Sequence, residues 1–372
     1  VKKLLAFHPT IAPYRIDLFN NLNKRFDANF YFYSKNLISQ KFDQSKIIKQ
    51  LDFNPKFLTN GFILKIKNKI RIIRFGQIIQ IIKHKPEIVI CIEYHPLTVI
   101  SILFIRLFTP KIKVYTICDD SYEIVNNVGL LRKIARYVSL KYIDGLILGN
   151  EETEKWYNNN FREVNTITFP IIQDENRLYK ILKDSNTYLQ KYISEYKLED
   201  KVVLLYVGRL APEKNLYFLI EVFSYYAKNK PNVVLIIVGE GTEKESLIRF
   251  AHNQGIHEKI IFAGRFEHTE LYAWYLVADC FVLPSTYEPF GAVVNEALIA
   301  GIPVLCTRSA GASVLINSKN GATFDPHNKK ELEKLLAEFL IKKSTKRNSI
   351  SDSRMPYTFK DRMDGLIKFL NL

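Results

Sequence analysis

Residues 202–215 read Val202-Val203-Leu204-Leu205-Tyr206-Val207-Gly208-Arg209-Leu210-Ala211-Pro212-Glu213-Lys214-Asn215. An unbroken apolar run of strand length marks a parallel strand covered on both faces. Gly208 permits a sharp exit from it, and Pro212 and Glu213 suit the first turn of a helix. The segment is therefore expected to run strand, turn, helix, with the helix over Glu213–Lys228. Arg209 and Lys214 are expected to stand together where sheet becomes helix. Two cations and the open N–H groups of a helix start make a site for a diphosphate. A departing nucleoside diphosphate gains negative charge that such cations stabilise. An ordinary strand–helix turn carrying surface charges is the plainer alternative.

The same rhythm extends in both directions. Strands are expected at Lys3–Phe7, Ala28–Tyr33, Ile88–Ile92, Val114–Ile117 and Gly145–Leu148. In the second half they are expected at Val202–Val207, Val233–Val238, Ile260–Phe262, Cys280–Leu283 and Val304–Cys306. Helical patterns lie between them at Tyr14–Arg25, Glu243–Asn253, Leu271–Val277 and Gly291–Ala300. Alternation of this kind predicts α/β architecture, parallel sheets flanked by helices. The polar segment Ile172–Lys201 looks like a boundary, and Lys342–Arg354 is a second polar stretch. The division expected is 1–180, 181–350 and an amphipathic tail, 351–372. Two such sheets leave a cleft, and ligands bind at the carboxyl ends of the strands.

A second informative stretch follows Cys280–Leu283: Glu288-Pro289-Phe290-Gly291-Ala292-Val293-Val294-Asn295-Glu296-Ala297. Gly291 marks a helix start, where backbone N–H groups approach a phosphate or sugar hydroxyl closely. Glu288 lies in the loop and Glu296 about one and a half turns into the helix. Carboxylates accept from vicinal hydroxyls, so Glu296 suits a ribose and Glu288 a transferred sugar. Two surface acids would be the bland reading.

Together these segments resemble the family 4 glycosyltransferases of the GT-B fold, two Rossmann-like domains facing a central cleft. The resemblance rests on G-R-L-x-x-E-K-N at 208–215, V-G-E-G at 238–241, F-A-G at 262–264, E-x7-E from Glu288 to Glu296, and A-G-I-P-V at 300–304. It implies transfer with retention from a nucleotide-sugar donor, such as a UDP- or GDP-sugar, without a metal or other cofactor. It implies an acceptor-binding first domain, a donor-binding second domain, and a terminal helix that crosses back. Residue by residue, Arg209 and Lys214 would hold the diphosphate beside Gly208, Gly239 and Glu240. Glu296 would hold the ribose. Glu288 and the backbone of Phe290, Gly291 and Ala292 would contact sugar and phosphate. Arg265 and Phe266 fall where the family holds the base.

The first half resembles the family less closely. His8-Pro9-Thr10-Ile11-Ala12-Pro13-Tyr14-Arg15 stands where the family has its N-terminal loop, so Pro13, Tyr14 and Arg15 would face the diphosphate, unless Arg15 is a solvated helix residue. At the second of two further strand ends, Cys118-Asp119 replaces a common His-Asp pair. His95, Glu93 or Asp119 is left to supply the polar group near the reacting centre, and His95 is equally readable as a packing residue.

Composition limits the partners. Hydrophobic residues make up 47% and charged residues 24% of 372, a globular balance rather than a disordered one. The net charge is +15, and residues 1–180 hold 28 Lys/Arg against 16 Asp/Glu, so the basic surface belongs to the first half. Residues 56–85 carry eight Lys/Arg (Lys56, Lys65, Lys67, Lys69, Arg71, Arg74, Lys83, Lys85) and no acid, threaded with isoleucines. Such a stretch suits contact with an anionic membrane. A solvated helix face over core isoleucines is the alternative, and no recognised nucleic-acid motif accompanies the charge. Cys91, Cys118, Cys280 and Cys306 lack metal-ligand spacing and read as buried thiols of a cytoplasmic protein. Residues 1–7 do not read as a signal peptide, and the most apolar stretch, Ile88–Phe108, is broken by Glu93, His95, Pro96 and Arg106.

The expected function is a retaining hexosyltransferase acting on a glycan or lipid-linked glycan in cell-surface polysaccharide synthesis, peripheral on the inner membrane face. A sugar-nucleotide epimerase would need no acceptor but would need acid–base groups around the donor sugar. A non-catalytic basic module would bind in a salt-sensitive way, indifferent to nucleotide sugars.

Overall fold

The computed structural model describes residues 1–35, 43–58, 61–66, 69–74, 76–228, 230–340 and 351–371. The chain divides into two compact units, Val1–Gln173 with Phe359–Leu372, and Asp174–Thr358.

The first unit contains β1 (Lys3–His8), α1 (Ile16–Arg25), β2 (Asp27–Phe32), α2 (Gln44–Ile48), β3 (Lys56–Phe57), β4 (Gly61–Ile66), β5 (Lys69–Arg74), α3 (Gln77–His84), β6 (Ile88–Ile92), α4 (Pro96–Phe108), β7 (Lys113–Cys118), α5 (Tyr122–Asn126), α6 (Leu130–Tyr142), β8 (Gly145–Leu148), α7 (Glu151–Asn160) and β9 (Thr166–Thr168). Seven strands make one sheet in the order β3-β2-β1-β6-β7-β8-β9, with every pair parallel. The order reverses between β1 and β6. Right-handed crossovers therefore place α1 on one face of the sheet and α4 and α6 on the other. Accordingly α3, α4 and α6 are neighbours.

The second unit contains α8 (Glu175–Asp184), α9 (Asn186–Glu195), β10 (Val202–Val207), α10 (Leu216–Ala227), β11 (Val233–Val238), α11 (Lys244–Asn253), β12 (Ile260–Gly264), α12 (His268–Val277), β13 (Cys280–Leu283), α13 (Ala292–Ile299), β14 (Val304–Thr307), β15 (Gly321–Phe324) and α14 (Lys329–Phe339). Its six-stranded sheet runs β12-β11-β10-β13-β14-β15, again all parallel. Every residue of β10, β11, β13 and β14 is buried, as continuous apolar runs require. The reversal falls between β10 and β13, the two strands followed by the 208–215 and 288–297 segments. The last helix, α15 (Phe359–Leu370), belongs to the first unit and lies against α1 and β9, burying Phe359, Met363, Leu366 and Phe369.

The expected α/β class, two Rossmann-like parallel sheets, is what the chain adopts. Three local expectations are corrected. The helix read over Glu213–Lys228 begins later: Pro212–Lys214 is a 3-10 turn, and α10 starts at Leu216. Asn215 separates them at φ 59, its side-chain amide donating to the Pro284 and Pro326 carbonyls at 3.2 and 2.9 Å. Asparagine tolerates that left-handed conformation better than most residues. Within 56–85, the helix face of the bland reading is only α3. β4 and β5 instead pair antiparallel from Gly61↔Arg74 to Ile66↔Lys69; Lys67 and residues 59, 60, 68 and 75 lie outside the described residues, as does most of Lys342–Arg354. The third is an omission from the expected strands: β9 and β15 carry Thr-Ile-Thr and Gly-Ala-Thr-Phe, runs too short and too polar to stand out.

All four cysteines sit buried as free thiols inside β6, β7, β13 and β14. Among the described residues no helix is long and apolar enough to cross a membrane.

Candidate active site

The carboxyl ends of β10, β11 and β12 come together through glycines. Gly208 N–H donates to the Val238 carbonyl at 3.0 Å, and Gly239 N–H to the Gly264 carbonyl at 2.7 Å. Gly239 holds φ 150, and a Cβ built there would lie 1.8 Å from the Gly208 carbonyl oxygen. No other residue fits so close an approach of two backbones. Leu210 N–H donates to the Glu240 carbonyl at 3.0 Å, tying the 208–215 turn to the 238–241 turn.

Arg209 and Lys214, expected to stand together where sheet becomes helix, take different partners. Arg209 turns to Glu213, 2.8 Å away, with about half of its side chain exposed. Lys214 Nζ instead reaches across to Glu288 Oε2 at 2.5 Å, with side-chain exposures of 11% and 14%. The left-handed kink at Asn215 and the 3-10 turn before it aim Lys214 inward. The Glu213 carbonyl accepts from Thr286 N–H at 3.0 Å, which fastens the two loops at the switch point. An exposed i,i+4 pair like Arg209–Glu213 is worth only about 0.2–1 kcal/mol, so it does little to fix Arg209 in place.

The 288–297 loop is held by backbone. Glu288 and Phe290 carbonyls accept from Gly311 and Ala312 N–H at 3.2 and 2.7 Å. The Phe290 side chain is buried in the core, so the backbone is what it presents. Gly291 caps α13 at φ 97, where a Cβ would meet Leu283 at 2.8 Å. The Ala292 end of α13 thus opens at the β13 strand end with the first-turn N–H groups that no helix satisfies internally. Further along α13, Glu296 accepts from Tyr275 Oη at 2.8 Å and Tyr272 Oη at 3.3 Å. Both tyrosines come from α12 at i,i+3 spacing, and sequence reasoning passed over them. Their signal was present, two hydroxyls three residues apart within the apolar stretch Leu271–Val277.

Of the base-region residues, Arg265 pairs with Glu267 at 2.5 Å. Phe266 packs its ring on Tyr192 and Trp274 at 5.7 and 5.6 Å, which anchors this loop to α9 and α12. Glu240 pairs with Lys244 at 2.7 Å.

The first unit gathers its own charged cluster at the ends of β1, β6 and β7. Arg15 is 1% exposed and pairs with Asp119 at 2.5 Å; it is not the solvated helix residue of the alternative reading. Pro13 and Tyr14 are half-buried beside it in a 3-10 turn. Arg132 of α6 reaches Asp120 at 2.8 Å and Glu93 at 3.2 Å. Three carboxylates therefore share two guanidinium groups. Glu93, at φ 47, has its carboxyl pushed up to about 7 by desolvation and then by Asp120, with Arg132 opposing. Part of its side chain stays open to solvent, which moderates the effect. His95 caps α4, its Nδ1 accepting from Leu97 N–H at 3.4 Å, and its ring lies 6.0 Å from Tyr33.

His8 is buried, with Nδ1 donating to the Thr10 carbonyl at 2.8 Å. Desolvation, then the Arg15 charge, pulls its pKa down to about 4, against Thr10 and Asp119. A depressed histidine adds stability that is present above its unfolded value near 6.5 and lost as pH falls toward 4. A full shift of this size corresponds to about 3 kcal/mol. Glu93 acts oppositely, its raised pKa withdrawing stability as pH rises through 7. We expect thermal melts between pH 6.5 and 4.5 to show a smaller acid loss for His8→Gln than for the unsubstituted chain. Equal losses would remove His8 from the acid response.

Comparison with known proteins finds the expected family within the second unit. Residues 190–354 match the family model of glycosyl transferases group 1. A glycogen synthase of Mycobacterium tuberculosis is 40% identical over 124 residues, 33% of this chain and 30% of that protein. The alpha-monoglucosyldiacylglycerol synthase of Acholeplasma laidlawii is 29% identical over 198 residues, 52% of this chain and 50% of that one. The chain thus spans a third to a half of the length of these curated relatives. Among solved structures, HepE of Anabaena in complex with UDP superposes with a TM-score of 0.76 over 99% of both chains at 16% identity, a likeness that shows the fold alone.

Proposed function

We propose that this chain, which belongs over residues 190–354 to the glycosyl transferases group 1, moves a sugar from a UDP- or GDP-sugar to a glycan or lipid-linked glycan with retention at the anomeric carbon. The observation that carries the reading is the Lys214–Glu288 pair at the β10/β13 switch point, with Glu296 a helix turn and a half behind it. Strand ends at a switch point are where open α/β sheets bind ligands. Lys214 and a swinging Arg209 neutralise the diphosphate together with the α13 N–H groups. Glu288 faces the sugar, and Glu296 accepts from the ribose hydroxyls, oriented by Tyr272 and Tyr275. The bond from the anomeric carbon to the diphosphate oxygen breaks, and a bond to the acceptor oxygen forms on the same face. The acceptor's proton passes to the departing diphosphate, so no strong enzymic nucleophile is required. Glu93, His95 and Asp119 are assigned to the acceptor side. The name of the Acholeplasma relative, alpha-monoglucosyldiacylglycerol synthase, supports a lipid or lipid-linked acceptor, and the basic, acid-free composition of 56–85 suits an anionic membrane.

A thermal-shift panel of UDP- and GDP-sugars tests the donor reading. One base series is expected to stabilise the chain, since a ligand at a hundred times its Kd adds about 2.7 kcal/mol. Indifference to every nucleotide tested would sink the proposal. The Glu296 role has its own test. Tyr275→Phe is expected to weaken nucleoside diphosphate binding by about 1–2 kcal/mol, the loss of one hydrogen bond to a charged group. Calorimetry with UDP, GDP and inorganic pyrophosphate should place that loss on the nucleosides alone.

A further inference from the structure

Among the described residues, fifteen large hydrophobic side chains are exposed, and ten of them lie on α3, α4 and α6. These three helices are neighbours in one layer of the first unit, so the exposed residues share its outer surface. Leu107 and Phe108 on α4 are 74% and 65% exposed. Leu131, Ile134 and Tyr137 on α6 are 84%, 52% and 66% exposed, and Ile82 on α3 is 57% exposed. A helix that is apolar on its outer as well as its inner side is ordinarily covered by something. α4, reading Pro-Leu-Thr-Val-Ile-Ser-Ile-Leu-Phe-Ile-Arg-Leu-Phe, is of that kind.

The charge on this layer identifies the cover. None of the three helices contains an Asp or Glu. Lys83, Lys133 and Lys141 are exposed on them, and Lys85 and Lys111 follow at their ends. Acids at the margin are held by neighbours: Glu87 accepts from the Lys3 backbone, Asp144 is held by Arg106 and Lys113, and Glu93 and Asp120 are held by Arg132 of α6. A second copy of the chain docked on a two-fold axis would set these lysines against their own images. An anionic bilayer accepts both features, apolar side chains into its headgroup boundary and lysines against its phosphates.

We propose that the α3–α4–α6 layer is the face on which this protein docks to an anionic lipid bilayer. This deepens the membrane part of the functional reading, moving the contact from the 56–85 stretch to a surface of which only α3 belongs to that stretch. It is independent of the donor assignment.

The test is flotation of the full chain, without nucleotide, on vesicles of phosphatidylcholine alone and of phosphatidylcholine mixed with phosphatidylglycerol. The unsubstituted chain is expected to bind the mixed vesicles and to leave them as salt is raised. Leu107→Glu with Ile134→Glu should lower binding at least tenfold, because two apolar side chains no longer enter the interface. Lys83→Glu with Lys133→Glu and Lys141→Glu should abolish the preference for phosphatidylglycerol. These positions are exposed, and melts of each variant confirm the fold. Failure of the unsubstituted chain to bind, or binding unchanged in both variants, overturns the proposal. So does a dimer seen by sedimentation without lipid that the Leu107/Ile134 variant dissolves, since the face would then be covered by a second copy. Stabilisation by UDP or GDP, measured alongside, is expected to be unchanged in both variants. Its loss from the unsubstituted chain would count against the donor reading and leave the docking face standing.

Discussion

Lys214→Ala is expected to weaken UDP or GDP binding by about 1.5–3 kcal/mol, a rise in Kd of roughly ten- to a hundred-fold. Lys214 sits 2.5 Å from Glu288 with only 11% of its side chain open, so its ammonium is already aimed and largely dried when an anion arrives. Arg209, half exposed and paired with Glu213, has no such preorganisation, and Arg209→Ala should cost less. The substitution has a second effect without ligand. Glu288, 14% exposed, loses its counter-charge, and a recessed carboxylate left unpaired destabilises the fold. Glu288→Gln in the Lys214→Ala background should restore part of the melting temperature and none of the affinity. Titration calorimetry and melts without nucleotide separate the two effects. Intact nucleoside diphosphate affinity in Lys214→Ala would place the anion elsewhere.

Gly239→Ala is expected to be the most damaging single methyl in the second unit. The added carbon would fall 1.8 Å from the Gly208 carbonyl oxygen, at a φ of 150 that side chains avoid. The oxygen is backbone and the Cβ is fixed rigidly to backbone, both just past the ends of adjacent central strands, so neither yields as a flexible side chain would. The cost should be about 3 kcal/mol or more, or a fall in melting temperature of roughly 6–12 °C for a domain of this size. Because relief requires β10 and β11 to part, Gly208 moves with them, and nucleotide stabilisation should fall as well. Gly255→Ala is a fair control, with open space around its Cβ and a left-handed φ of 68. It shares the backbone strain and lacks the collision. A Gly239→Ala chain melting within a degree or two of the control would show that the strand ends are looser than these distances imply.

Where the chain uses continuous apolar runs, its architecture was legible in the residues. Val202–Val207, Val233–Val238 and Cys280–Leu283 are strands at the bounds expected, because an all-apolar run of that length has few other folds available. Legibility failed where burial does not dictate composition. The edge strands β9 and β15 are short and partly polar, since one side of an edge needs no apolar cover. α4 was not read as a helix because residues apolar on all sides carry no period.

The side-chain partners were the less legible part of the site. That 208–215 and 288–297 hold the informative charges was written in their order along the chain. That Lys214 pairs with Glu288, seventy-four residues away, was not. That pairing depends on Asn215 taking a left-handed turn and on β10 and β13 lying side by side across the switch point. Likewise Glu296 meets Tyr272 and Tyr275 only because α12 and α13 are brought together, and Arg15 meets Asp119 only because the carboxyl ends of β1 and β7 lie at the same end of one sheet. Local sequence by itself determined strands, turns and residue chemistry, since hydrophobic runs, glycines and prolines act over a few residues. Which charge faces which was decided by the tertiary structure, because Coulombic partners are chosen by distance in space after the strands have been ordered.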